Sequence, residues 1–359
     1  MSSDSSRSNM DYQLNQREHQ ILTRTIQSYI SSAKPVPSKQ LVARHNLGIS
    51  SATVRNIMKK LEDGGYLEHR HTSSGRIPTE HGYRYYVNQL LRSQPEKPKM
   101  SLQEQAVLAQ LQKIISSDMN QAVVLGAQLL ARLSNLLAVI TTPELAKARL
   151  HKLELVELSH NRLLVVLSVD NGIVKTVTVE VEHQLHHIDL DETARELNER
   201  LHDLTFSEIA NHIEEVLKDK RSEDKTGIME VFIDYADTIF DYQPAQRFFY
   251  GGVEYMALQP EFSEMSQYRK IVSALEDEQT IIHLLQPTEK QSENEISVRI
   301  GREHNLQQID NCSVVFGNYS MGENYGSIGL LGPQRMDYEK MIALVGRFLD
   351  QFNKVQDEK

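Results

Sequence analysis

The run from Ser50 to Thr79 constrains this chain most, because it sets an amphipathic helix, a glycine pair and a tight hairpin almost end to end. Across 51–63, Val54, Ile57, Met58 and Leu61 share one side at about 100° per residue. Ala52, Arg55, Asn56 and Lys59 lie opposite, flanked by Thr53 and Lys60. Ser50 is placed to cap this helix through its hydroxyl, and Gly64-Gly65 ends it. Residues 66–70 then read as a strand, Thr72 to Gly75 as a turn and 76–79 as the returning strand. Upstream, Leu22, Ile26, Tyr29 and Ile30 line one face of a first helix over 15–32, which Lys34-Pro-Val-Pro37 breaks. Ser38 is expected to cap a short second helix over 39–45, and Leu47-Gly48-Ile49 to form the turn before the third. Three helices followed by a hairpin with a Ser/Gly/Arg tip predict a winged helix-turn-helix over 14–92. A further helix opens after Thr79.

The polar face of the third helix holds the residue types that read a DNA major groove. Arginine bonds guanine O6 and N7 together, asparagine bonds adenine N6 and N7, and an alanine or threonine methyl touches the thymine methyl. The N-terminal part of such a helix reaches the bases. Ser51, Ala52, Thr53, Arg55, Asn56 and Lys59 are therefore the expected recognition residues. An isolated helix of this kind is more often a solvated amphipathic surface, and the hairpin beside it shifts the balance. Its tip and flanks, Arg70, His71, Thr72, Ser73, Ser74 and Arg76, combine small residues, donors and positive charge of the sort that meets phosphates.

Net charge is −10 for the whole chain, which by itself argues against a nucleic-acid partner. The distribution reverses that. Residues 1–92 carry 13 Lys and Arg against 7 Asp and Glu, a balance of +6, and the remainder stands at −16. A basic end on an acidic body implies that only the basic end meets a polyanion.

Residues 1–13 are polar and Ser-rich and read as a disordered N-terminus without a signal peptide. Residues 93–99 hold two prolines and read as a linker. Helices are expected at 102–116 and 120–141, the second stopping before Pro143. Strands follow at 153–158, 162–169 and 173–181, with Asn171-Gly172 as a hairpin signal. Helices are expected at 191–204, 207–218 and 228–240, extended chain at 247–252 and 253–258, and a helix at 263–275. Strands resume at 280–285, 296–300, 312–319 and 326–331. A last helix starts at Asp337 and buries Ile342, Val345, Phe348 and Leu349. Strands, helices, then strands again predict an α+β fold in which 184–277 is inserted between 100–183 and 278–355.

The most apolar run, 122–140, is interrupted by Gln128, Arg132, Ser134 and Asn135 and reads as a buried helix, with no membrane partner. The single cysteine, Cys312, excludes a disulfide framework within the chain and fits a reducing, cytoplasmic setting. His183, His186 and His187 cluster without a cysteine to complete a metal site. Gly317, Gly322, Gly326, Gly329 and Gly332 lack the lysine of a phosphate loop and fit a packed hairpin better. Ser73 and Ser74 have histidines nearby but nothing that orders a nucleophile and base. Asp189 and Asp191 read as solvated caps. No enzymatic constellation, cofactor or metal is expected.

The stretches Ser50-Ser-Ala-Thr-Val-Arg-Asn-Ile-Met58, Leu61-Glu-Asp-Gly-Gly-Tyr-Leu67, His71-Thr-Ser-Ser-Gly-Arg-Ile-Pro-Thr79 and Gly82-Tyr-Arg-Tyr-Tyr-Val87 resemble the N-terminal domain of HrcA repressors. Far downstream, Gly326-Ser-Ile-Gly-Leu-Leu-Gly-Pro-Gln-Arg-Met-Asp-Tyr338 resembles a second motif of the same family. The order of elements between them is also similar, so the resemblance spans nearly the whole chain. Pro37 departs from it, standing where a glycine is expected. The resemblance implies a GAF-like α/β domain carrying an inserted dimerisation domain. It also implies a homodimer on double-stranded DNA with an inverted-repeat operator upstream of chaperone operons. A GroEL-type chaperonin would keep the repressor active, and heat would draw that chaperonin away. No small-molecule ligand is established by it. A ligand-sensing GAF-like domain, an enzyme with a DNA-binding module and a protein scaffold are the alternative readings.

Overall fold

Asn15 starts the first helix, α1 (Gln16–Ser32), by accepting from the amides of Arg17 and Glu18, while the Glu18 carboxylate accepts from the Asn15 amide at 3.1 Å. This capping box satisfies donors that the first turn leaves open. The computed structural model describes residues 14–69, 75–93, 99–115, 119–142, 148–169, 174–181, 189–221, 228–241, 248–286, 295–321 and 324–354. The expected N-terminal tail, most of the 93–99 linker and the Asn171-Gly172 turn lie outside these residues.

After α1 come α2 (Ser38–His45) and α3 (Ser51–Asp63). Ser38 does not cap α2, because it is already the first helical residue. Pro37 occupies the cap position in extended backbone and offers no side-chain hydrogen bond. The hairpin strands are β1 (Leu67–Glu68) and β2 (Ile77–Pro78), paired antiparallel. α4 (Glu80–Ser93) follows.

The body opens with α5 (Leu102–Ile115), α6 (Met119–Ser134) and β3 (Leu137–Thr141). The periodicity predicts one helix through Thr141, but Asn135 adopts φ 54 and ends it. Beyond that stop, the β-branched Val139, Ile140 and Thr141 suit a sheet interior. Next come β4 (Leu150–Ser159), β5 (Arg162–Val169), β6 (Val174–Glu180), α7 (Leu190–Leu201), α8 (Phe206–Arg221), α9 (Ile228–Asp234) and α10 (Ala236–Ile239). β7 (Phe248–Gly251), α11 (Val253–Ala257), a 3-10 turn at Pro260–Phe262, α12 (Met265–Glu276) and α13 (Glu278–Leu285) follow. The chain ends with β8 (Ser297–Ile300), β9 (Cys312–Met321), β10 (Asn324–Pro333) and α14 (Tyr338–Asn353).

Besides 137–141, two short segments differ in type from the sequence expectation. Residues 253–258, expected extended, hold α11, and 280–285, expected as a strand, belong to α13. In α13 the Asp277 carboxylate accepts from the Gln279 amide at 3.2 Å, and Ile281, Leu284 and Leu285 are buried at helical spacing. Short apolar runs fit either period, and here the cap decides.

A five-stranded antiparallel sheet, ordered β7-β3-β10-β9-β8, forms the centre of the body. Alternation splits its side chains between two cores. Ala138, Ile140, Val315, Ile328 and Leu330 face the core shared with α5, α6 and α14, which continues into the N-terminal helices. Leu137, Val139, Val314, Phe316 and Leu331 face the core built by α11, α12 and α13. Gly317, Gly326, Gly329 and Gly332 lie on the paired strands β9 and β10, with Gly326 opposite Tyr319, and Gly322 lies outside the described residues.

A second, three-stranded sheet, β4-β5-β6, shares a separate core with α7 to α10, from Ala148 to Phe240. Strands 150–180 therefore pack with the helices that follow them, and β7 and α12 pack with the body. The boundary expected at Asp277 lies between Leu275 and Ile281 of one core, and the one expected at Gln184 lies outside the described residues, between Val181 and Leu197 of another. The reason is that hairpin strands and helices look alike in hydrophobicity whichever sheet they serve. Asn198 of α7 closes one edge of this sheet, accepting from the Leu153 amide and donating to its carbonyl, both at 2.7 Å.

At the far end, Asp337 caps α14 by accepting from the Lys340 amide at 3.2 Å. Asp337→Ala will lower unfolding free energy by about 1 kcal/mol, the usual cost of a lost cap, read by urea denaturation. An unchanged midpoint would show that another group takes over the donor.

Candidate nucleic-acid interface

Helix α3 is held from three sides. Ser50 starts it by accepting from the Thr53 amide at 3.1 Å, and the two hydroxyl oxygens lie 2.9 Å apart. Val54, Met58 and Leu61 are buried against α1 and α2, with Ile57 half-buried beside them. The packing therefore turns one side of α3 outward. Ala52, Thr53, Arg55, Asn56 and Lys59 are all exposed there, and Ser51 is half-buried at the rim. The predicted recognition residues are thus brought together on one open face, except that the Thr53 hydroxyl is engaged at the cap.

The hairpin is fixed at its base. Arg76 pairs with Val36 through both backbone groups, at 2.9 and 3.1 Å, so the segment before α2 adds a third short strand position. The Arg76 Nε donates to Glu62 of α3 at 2.9 Å. The sequence sends Arg76 to phosphate, whereas the structure ties its Nε to Glu62 near the end of α3. Arg70, His71, Thr72, Ser73 and Ser74 lie outside the described residues. Gly75 sits where a Cβ would come within 2.7 Å of the Pro35 carbonyl carbon, so only glycine lets the hairpin pass this backbone.

Thr79 joins the hairpin to α4. Its hydroxyl donates to the Gly65 carbonyl at 2.6 Å and accepts from the Gly82 amide at 3.1 Å. Among the nearby titratable groups, His45 of α2 shares a hydrogen bond with Ser28 at 3.1 Å. Burial first, then the Arg24 and Arg44 charges, hold its pKa below the usual 6.5. His45 therefore adds no positive charge to this surface at neutral pH. Among the described residues no group of His, Cys, Asp or Glu could hold a metal ion. His183, His186 and His187 lie outside those residues. No described helix is long and apolar enough to cross a membrane.

A family model described as the HrcA protein C terminal domain matches residues 120–342. The heat-inducible transcription repressor HrcA of Chlorobium chlorochromatii (strain CaD3) is 36% identical over 340 residues, 94% of this chain and 96% of that protein. The chain belongs to the HrcA family. The HrcA repressor of Halalkalibacterium halodurans (strain C-125) is 30% identical, covering 95% of this chain and 97% of that one. The fold is also shared with a solved structure described as a hypothetical protein, at a TM-score of 0.67 and 24% identity, covering 96% of this chain and 98% of that one.

The α3 unit lies outside the span of the HrcA C-terminal model, but the full-length HrcA relatives extend across it. Several residues that shape this part of the HrcA chain escape a sequence reading. Val36 and Glu62 look like an ordinary apolar residue between prolines and an ordinary helix-end acid. Their roles arise from pairing with Arg76, which is distant in sequence. Gly82 does carry a signal, since a glycine inside a helix pattern calls for a packing reason, whereas Gly75 reads only as part of a turn.

Proposed function

We propose that this chain is a heat-inducible transcription repressor, not an enzyme, that binds an inverted-repeat DNA operator as a homodimer. The observation that carries the reading is the outward face of α3 in an HrcA-family chain. Ala52, Thr53, Arg55, Asn56 and Lys59 stand exposed together, on a helix seated by Val54, Met58 and Leu61. In this reading α2, α3 and the β1–β2 hairpin form a winged helix-turn-helix. α3 enters the major groove, and residues 70–74 and Arg76 form the wing beside the phosphates.

The body would be a GAF-like domain carrying the β4–α10 unit as an inserted dimerisation domain. Val156 and Leu158 on β4 and Val174 on β6 support that assignment, because all three are large, apolar and exposed. An inverted repeat calls for a two-fold protein, since each α3 reads one half-site. The relatives' name makes the repressor heat-inducible, and dependence on a GroEL-type chaperonin accounts for that as control of the active fraction.

The test is a gel-shift titration at fixed salt with full-length protein, comparing the inverted repeat with a scrambled duplex. The reading expects a preference of about a thousandfold or more, and a larger active fraction when chaperonin and ATP are present. Equal, salt-sensitive binding to both duplexes by folded protein would sink it. Arg76→Ala should weaken both duplexes by the same factor, as loss of a phosphate contact does. A loss confined to the operator would remove Arg76 from the wing.

A further inference from the structure

The unit that carries α3 meets the body at a polar junction centred on Arg335, in the turn between β10 and α14. The Arg335 guanidinium bonds three residues on two distant parts of the chain at once. Its Nε and Nη2 donate to the two Glu261 carboxylate oxygens at 2.6 and 3.2 Å, and Nη2 also reaches the Gln259 side-chain oxygen at 3.2 Å. Its Nη1 donates to the Ile30 carbonyl at 2.9 Å. Ile30 lies in the last turn of α1, where carbonyls lack helical partners and the helix dipole favours a cation. Only 15% of the Arg335 side chain is exposed, so this fork is largely out of water.

Its neighbours hold the other end of the same unit. Gln334 donates to the Glu80 carboxylate at 3.0 Å and to the Asp310 carbonyl at 2.9 Å, and Glu80 opens α4. From α4, Arg84 crosses back to the Glu303 carboxylate and, at 2.7 Å, to the Val298 carbonyl. Tyr83 packs its ring against Tyr338, centroids 5.8 Å apart. The end of α1 and the start of α4 are therefore both clamped to the body, and α3 packs directly on α1. The downstream motif Gly326–Tyr338 supplies Gln334, Arg335 and Tyr338 to this clamp.

We propose that Arg335 is a positioning residue for operator recognition, setting the angle between α3 and the body so that the two α3 helices of a dimer match the spacing of the half-sites. This rests on the reading of α3 as the base-contacting helix. Half-sites one helical turn apart demand a fixed separation and rotation, and a unit free to swing would engage them one at a time. A planar fork suits the task where lysine does not, because it bonds a carboxylate with two donors and a carbonyl with a third.

The test uses full-length protein and two readouts. Spin labels at Asp63→Cys on α3 and Glu276→Cys on α12, diluted with unlabelled protein, report the distance from α3 to the body by pulsed electron resonance. Cys312 is fully buried and should take no label. The parent should give one narrow distance, and Arg335→Ala and Arg335→Lys should broaden it. Gel shifts then compare the operator, the same repeat with about five base pairs added to its spacer, half a turn, and a single half-site. The parent should prefer natural spacing by about 100-fold or more, the advantage of simultaneous engagement. In the variants that preference should fall to a few-fold with half-site affinity unchanged. Arg335→Lys keeps the charge and serves if alanine prevents folding. An unchanged distance, or unchanged spacing preference, in folded variants overturns the proposal. If the parent does not distinguish operator from scrambled DNA, operator recognition fails, and the distance measurement still judges the clamp.

Discussion

Alanine at Arg55 or at Asn56 will weaken operator binding by about 1–3 kcal/mol each, roughly 5- to 150-fold, the range for a lost bidentate base contact. Both side chains are exposed on α3, while Val54 and Met58 hold the helix in place from the other side. Thermal stability should therefore move by no more than about 0.5 kcal/mol, as for surface changes elsewhere. Affinity for scrambled DNA should fall much less for Asn56→Ala, which removes no charge. Fluorescence anisotropy at one salt concentration, run beside a thermal melt, separates these effects. The residues adjoin, so the double variant need not lose the sum of the two. Full operator affinity in both single variants would take the reading of bases away from this face.

The largest effect on stability is expected at Gly82. A Cβ there would stand 2.2 Å from the Tyr66 carbonyl oxygen, well inside contact distance. That carbonyl has little freedom to retreat. It accepts the Thr79 amide at 3.2 Å, and the Tyr66 amide is held by the Leu61 carbonyl at 2.8 Å. On helix propensity alone, Gly82→Ala within α4 would gain about 1 kcal/mol. Overpacking against fixed backbone costs about 1–3 kcal/mol and sometimes more. The clash is with main chain rather than a flexible side chain, so the upper part of that range should prevail and the net change should be destabilising. Urea denaturation followed by circular dichroism reads the sign directly. A stabilised Gly82→Ala protein would mean that α4 lifts from the hairpin at little cost.

Local signals make helix α3 legible from residues alone. Ser50 and Gly64 mark its ends, and Val54, Met58 and Leu61 mark its buried side. Asp337 is legible as the start of the last helix for the same reason, since a cap acts within one turn of itself, whereas the Asn15 capping box is a finding of the structure. Where two periods compete, the local pattern does not decide. Leu137 to Thr141 continues the apolar pattern of α6, and only the left-handed backbone at Asn135 separates helix from strand. Residues 280–285 suit a strand until Asp277 is seen to cap a helix. Assignment of β4, β5 and β6 to their own core was out of reach, because strand patterning does not say which sheet a strand joins. The Arg335 clamp was equally hidden. Gln334-Arg335 was visible as part of a motif, but Ile30 and Glu261, which give it a role, lie 305 and 74 residues away.

Operator recognition requires the open face of α3 to meet base edges in the major groove. Dimethyl sulfate footprinting asks this directly, because the reagent methylates guanine N7, the atom that Arg55 is expected to cover. At saturating protein, the account predicts a protected guanine at the same place in each half-site. That protection should be lost with Arg55→Ala at a concentration that restores full occupancy, while hydroxyl-radical footprinting of the same complex still shows the sugars protected. Guanines that stay reactive under the bound parent protein, or protection that survives Arg55→Ala, would contradict it.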